Sequence, residues 1–215
     1  MKIMNDKGVL FLSTLMCLLP IGMYLLVFDQ LPLQMVQQWG PGNTPNWTMP
    51  REWAIFVLPA TIALLHIIVY FVTNSTSSKN SATPKMRTFL VWLLPVTSVF
   101  INLVVLLANI DESFNVATAI FVFVGLTFII AGNYLPTTRQ NYYIGFRLPW
   151  TLKDADNWSK THRLSGKLLV IGGILFVLCA VLPLPEPALL GVILSLAAIL
   201  VIVPTIYSFV IYKKS

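Results

Sequence analysis

The stretch Ala188-Leu-Leu-Gly-Val-Ile-Leu-Ser-Leu-Ala-Ala-Ile-Leu-Val-Ile-Val-Pro-Thr-Ile-Tyr-Ser-Phe-Val-Ile-Tyr212 decides the fold. It holds no Lys, Arg, Asp or Glu and is closed by Lys213-Lys214. At about 1.5 Å per residue, a helix of this length covers the roughly 30 Å hydrocarbon core of a bilayer. A central charge costs about 2.5–3.5 kcal/mol to insert, so an uncharged run this long marks a transmembrane helix. Five similar stretches precede it: Gly8–Phe28, Trp53–Val72, Thr88–Ile110, Phe114–Pro136 and Leu164–Leu182. Only Lys167 intrudes, one turn into the fifth. The pattern predicts an all-α, polytopic membrane protein with six transmembrane helices.

Composition agrees. The chain is 57% hydrophobic and 10% charged, against about 25% charged residues in a soluble domain. Six spans and their loops use up its 215 residues. They divide into a three-span region 1–113, with a Pro/Gly-rich loop at 29–51, and a three-span region 114–215.

The net charge of +6 does not point to nucleic acid, because the basic residues follow the spans. Lys2, Lys7, Lys79, Lys85, Arg87, Arg139, Arg147, Lys153, Lys160, Arg163, Lys167, Lys213 and Lys214 flank the spans on one side, and only Arg51 lies on the other. The positive-inside rule then places both termini and the two basic loops in the cytoplasm. Asp29, Glu52, Asp111, Glu112 and Glu186 fall outside. Leu25-Leu26-Val27-Phe28 runs into Asp29 with no small-residue cleavage site, so the first span reads as a retained helix.

Candidate chemistry is sparse. Cys17 and Cys179 lie at membrane depth and read as small apolar fillers, with no disulfide framework and no metal site. Pro20, Pro59, Pro95 and Pro204 interrupt spans, Gly172, Gly173, Gly191 and Ser195 suit close helix approach, and Thr97, Ser98, Asn102, Thr127 and Thr205 offer interhelical hydrogen bonds. His66 is a titratable group at mid-span, open to a proton relay. No carboxylate lies at its depth, so a neutral, hydrogen-bonded role is favoured. Only His66 and His162 are available as histidines, at different depths, and no catalytic residue or cofactor is expected.

Two loops carry the remaining signal. In 29–51, Pro32, Pro41, Pro45, Pro50, Gly40 and Gly42 exclude a continuous helix and favour a rigid, turn-rich loop. It displays Met35, Trp39 and Trp47, as an interfacial aromatic belt or as a lid or docking surface. The sequon at Asn46–Thr48 carries little weight alone. The other loop contains Gly132-Asn133-Tyr-Leu-Pro136, Asn141-Tyr-Tyr-Ile-Gly-Phe-Arg-Leu-Pro-Trp-Thr151 and Trp158-Ser-Lys-Thr-His-Arg163. Thr151 with Asp154 resembles a capping box. At 100° per residue Leu152, Ala155, Trp158, Ser159 and His162 share one face, while Lys153, Asp156, Lys160 and Arg163 share the other. This predicts a short cytoplasmic amphipathic helix lying on the membrane surface before the fifth span, with docking of a cytoplasmic protein as the alternative.

The string Asn141, Ile144-Gly145, Arg147, Pro149-Trp150-Thr151, then Trp158, His162-Arg163 and Gly166, resembles the signature of the SdpI family of bacterial immunity proteins, within a motif region 132–166. Leu31-Pro32 and Gln38-Trp39-Gly40 resemble the region ahead of it, with Gln38 where that family often has His. The resemblance implies a plasma-membrane protein that protects a bacterium from a secreted peptide toxin and recruits a cytoplasmic repressor. It implies toxin contact on the outer face at Pro32, Gln38, Trp39, Gly40 and Trp47. It implies docking on the inner face at Asn133, Asn141, Gly145, Arg147, Pro149, Trp150, Thr151, Trp158, His162 and Arg163. The rival classes are a small-molecule or peptide transporter, which would want repeats and mid-membrane charges, and a structural envelope protein.

Overall fold

The computed structural model describes residues 6–74, 83–141, 144–182, 184 and 186–214, without the side chains of 186 and 187. Lys2, Lys79, Tyr142 and Tyr143, used in the sequence reading, lie outside the described residues, as does the Glu186 side chain. Six helices are long and apolar enough to cross a membrane: α1 (Asp6–Leu26), α2 (Arg51–Thr73), α3 (Pro84–Ile110), α4 (Val116–Tyr134), α5 (Ala155–Val181) and α6 (Glu186–Lys214). The protein is an all-α polytopic membrane protein with one small hairpin.

The solvent logic is inverted. Phe11, Leu64, Leu194, Val201 and Ile206 are exposed on the helices, while Ser13, His66, Ser98, Asn102, Asn157 and Thr161 are buried. Apolar groups outside and paired polar groups inside is what a lipid solvent selects. The chain forms two compact units, residues 1–74 with 88–116, and 75–87 with 117–215.

In the first unit α1 and α2 run antiparallel. His66 Nε2 lies 2.7 Å from Ser13 Oγ, and Tyr70 Oη donates to Asp6 O at 2.5 Å. His66 Nδ1 is buried without a partner. On α3, Ser98 Oγ donates to Cys17 O (2.8 Å), and Asn102 O accepts from Tyr24 Oη (3.0 Å). Thr97 and Thr205, expected to bridge helices, instead return their hydroxyls to Leu93 O and Val201 O of their own helices. A Thr hydroxyl reaches the carbonyl four residues back without any neighbour. Cys17 and Cys179 are free thiols.

Between α1 and α2 the chain forms an antiparallel hairpin, β1 (Gln34–Trp39) and β2 (Pro45–Pro50). The turn uses Gly42 (φ 66°) and Asn43 (φ 59°), a left-handed pair that Gly and Asn tolerate. Met35, expected to be exposed, is fully buried with Tyr24, Leu31, Ile55 and Val105, and Trp39 packs half-buried against them. Strand alternation turns Met35 inward, where its flexible thioether fills the junction of three helices.

In the second unit, the helix expected on the membrane surface is instead the first turns of α5, one continuous helix from Ala155 to Val181. No proline interrupts it, and its Trp158–His162 face is packed against protein rather than laid on the membrane. Its N-cap is Asp154, whose side chain accepts from Asp156 N, so the capping box from Thr151 does not form. The buried face is Asn157, Trp158, Thr161, His162 and Ser165, whereas Ala155 is exposed. Lys160 and Asp156 do pair on the outer face, at 2.6 Å.

Glycines set the approach of α4 and α5. A Cβ on Gly125 would fall 2.6 Å from Gly173 O, and one on Gly132 would fall 2.6 Å from Gly166 O. Phe121 and Phe128 flank Phe176 near the Gly125–Gly173 contact.

Candidate functional site

The segment after α4 satisfies its backbone mainly through side chains. Asn141 Oδ1 accepts from Ile144 N (2.8 Å), and its Nδ2 donates to Arg139 O (2.6 Å). Thr151 Oγ1 donates toward Phe146 O (2.7 Å) and accepts from Leu148 N (3.0 Å), while Gln140 Nε2 donates to Thr151 O (2.8 Å). Both Asn141 and Thr151 are buried. Each is short enough to bond local backbone in place of a ladder.

His162 fastens this segment to α5. Its Nε2 accepts from Phe146 N (3.1 Å) and its Nδ1 faces Trp158 O (2.8 Å). An acceptor at Nε2 requires the neutral Nδ1–H tautomer, which then donates to Trp158 O. The ring stacks on Trp158 at 4.0 Å, and Trp158 Nε1 donates to Thr138 O (3.0 Å). Gly145 passes over the ring at φ 107°, so close that a Cβ there would lie 2.0 Å from His162 Nε2.

Ser208 of α6 closes the other side. Its Oγ accepts from Trp150 Nε1 (2.9 Å) and its carbonyl accepts from Asn157 Nδ2 (2.9 Å). Thr161 Oγ1 donates to Asn157 Oδ1 (3.0 Å). Trp150 also packs on Phe209 and Tyr212.

The expected inner-face residues therefore divide. Asn141, Thr151, Trp158 and His162 are buried together, with Gly145 and half-buried Trp150 beside them, whereas Asn133, Arg147, Pro149 and Arg163 are exposed. The sequence reading missed Thr138, Asn157, Thr161, Ser165 and Ser208. Asn157, Thr161 and Ser165 recur every four residues beside Trp158 and His162, a spacing that could have revealed them; Ser208 carries no such signal.

In the first unit, Pro32, Gln38 and Trp47 are exposed and Trp39 and Gly40 half-buried. Asn109 of α3 binds both backbone groups of one β1 residue: Oδ1 accepts from Val36 N (2.7 Å), and Nδ2 donates to Val36 O (2.9 Å). Asn43 fixes the turn, accepting from Val116 N and donating to Phe114 O. Arg51 turns inward, Nη1 donating to Phe28 O (3.2 Å) and Leu31 O (3.0 Å) with its guanidinium 4.4 Å from the Phe28 ring centre. The Ser113 hydroxyl and amide hold the Asp111 carboxyl below the usual carboxylate range. Among the described residues no group of three His, Cys, Asp or Glu side chains is placed to hold a metal.

Residues 137–208 match the model of the SdpI/YfhL protein family, a span that runs from just before Thr138 to Ser208 itself. The family resemblance read in the sequence thus falls on this segment. Residues 15–63, which include the hairpin, match a second model described as a domain of unknown function, DUF1648. The immunity protein SdpI of Bacillus subtilis (strain 168) is 27% identical over 194 residues, covering 88% of this chain and 89% of that protein. No solved structure matches.

Proposed function

We propose that this chain is an immunity protein of the bacterial plasma membrane that protects against a secreted peptide toxin and performs no catalysis. The similarity to the immunity protein SdpI across nearly the full length of both chains carries this reading. The charge pattern supports cytoplasmic termini, with the hairpin outside and the SdpI-like segment inside. On this reading Pro32, Gln38, Trp39, Gly40 and Trp47 meet the toxin. The buried Asn141, Thr151, Trp158 and His162, with Gly145 and Trp150, shape the inner segment. The exposed Asn133, Arg147, Pro149 and Arg163 are what it offers to a cytoplasmic repressor.

The test is survival. A toxin-sensitive bacterium expressing the full chain is challenged with the medium of a toxin-producing strain, with membrane insertion confirmed by fractionation. Survival at least about tenfold above an empty-vector control is expected; equal killing removes immunity against that toxin. A cysteine placed at Trp47 should label from outside intact cells and one at Trp150 only after permeabilisation, and the reverse pattern overturns the orientation.

A further inference from the structure

The hairpin has one closed edge and one open edge. Asn109 takes both the N–H and the C=O of Val36, so these groups point away from β2. Val36 pairs with Thr48. In an antiparallel ladder, two residues directly opposite either both face inward or both face outward with their backbone groups. Thr48 therefore aims its N–H and C=O outward, on the side where the two-stranded sheet ends. Gln34 pairs with Pro50 two residues on, another outward-facing position, where the missing N–H of proline costs no ladder bond. Among the described residues nothing bonds to the outward groups of Thr48.

The hairpin end of this unit is apolar and acidic. Leu33 is 71% exposed, Trp47 51% and Trp53 67%. Asp29, Glu52, Asp111 and Glu112 are exposed at the hairpin end of this unit. Arg51, the basic residue among them, donates to Phe28 O and Leu31 O and pairs with Glu52 at 3.5 Å, so Asp29, Asp111 and Glu112 carry the net negative charge of this end.

We propose that the open edge of β2, centred on Thr48, takes up a cationic, apolar peptide in extended form as a third strand. Main-chain pairing at Thr48 supplies register, the adjacent exposed Trp47 covers apolar side chains, and the acidic character of this end of the unit favours positive charge. Pro45 and Pro50 bracket the edge and confine pairing to a few residues. The proposal rests on the immunity reading and specifies how the toxin is held.

The test uses the full chain in neutral phosphatidylcholine nanodiscs, with empty discs as blank. The probes are 12-residue peptides alternating Lys with Val, alternating Glu with Val, and a Lys/Val peptide with alternate backbone nitrogens methylated. The Lys/Val peptide should bind and slow amide exchange at Thr48. Binding should weaken at least about tenfold with the Glu/Val or methylated peptide, and with Thr48→Pro, while Thr48→Ala stays within about twofold. Methylation tests the pairing on unaltered protein, should Thr48→Pro misfold. Equal binding of the methylated peptide overturns strand addition, equal binding of the Glu/Val peptide overturns charge selection, and no binding of any probe overturns the proposal. A chain that protects cells equally with and without Thr48→Pro retains its immunity role and loses this mode of recognition.

Discussion

The hairpin segment 34–50 and the segment 138–154 are equally long parts of two connections between spanning helices, yet they satisfy their backbones by opposite means. The first pairs main chain with main chain and borrows one amide, Asn109, to close an edge. The second folds around side chains, with Asn141, Thr151 and His162 standing in for a ladder. A ladder ends in unspent N–H and C=O groups, whereas a side-chain-wrapped loop spends them internally. The first connection can thus recognise a backbone, and the second presents the exposed side chains of Arg147 and Pro149.

The largest disruption is expected from Gly145→Ala. Its Cβ would collide with His162 Nε2 at a φ that only glycine holds without strain. A loss of about 3 kcal/mol or more is expected. It is checked by thermal unfolding in detergent, with faster amide exchange across 144–152 and unchanged exchange across 34–50. If both segments loosen together, they are not the separate devices described here. Asn109→Leu is the matching change in the hairpin. It leaves Val36 N–H and C=O without partners, for about 1–3 kcal/mol. Exchange at Val36 should quicken; unchanged exchange would show that the ladder alone closes that edge. The smallest effect is expected for Asp156→Asn. The pair with Lys160 is exposed on the outer face of α5, where water screens it, and unfolding should match the unaltered protein within error.

The sequence carried the six spans to within a few residues at most ends, because lipid imposes a length and a charge rule that a linear reading can apply. It also singled out Asn141, Thr151, Trp158 and His162, which the fold brings together. The hairpin was hidden because Pro41, Pro45 and Pro50 mask its alternation, and a bulge between Val36 and Gln38 breaks the two-residue period. Asn109 lies within an apolar run and gains its role only through a strand distant in sequence. The surface helix was misplaced because an amphipathic pattern does not say whether its mixed face meets headgroups or other protein. Here Asn157 and Trp158 meet Ser208 and Thr138, and the helix continues into the membrane.

The paired glycines of α4 and α5 recur every seven residues on both helices, Gly125 and Gly132 against Gly173 and Gly166. At such contact neither lipid tail nor water fits between the two backbones, and any side chain in place of these glycines would meet the facing carbonyls. These two spans therefore travel as one rigid plank. Within this unit, relative helix motion is left to α6 against that plank.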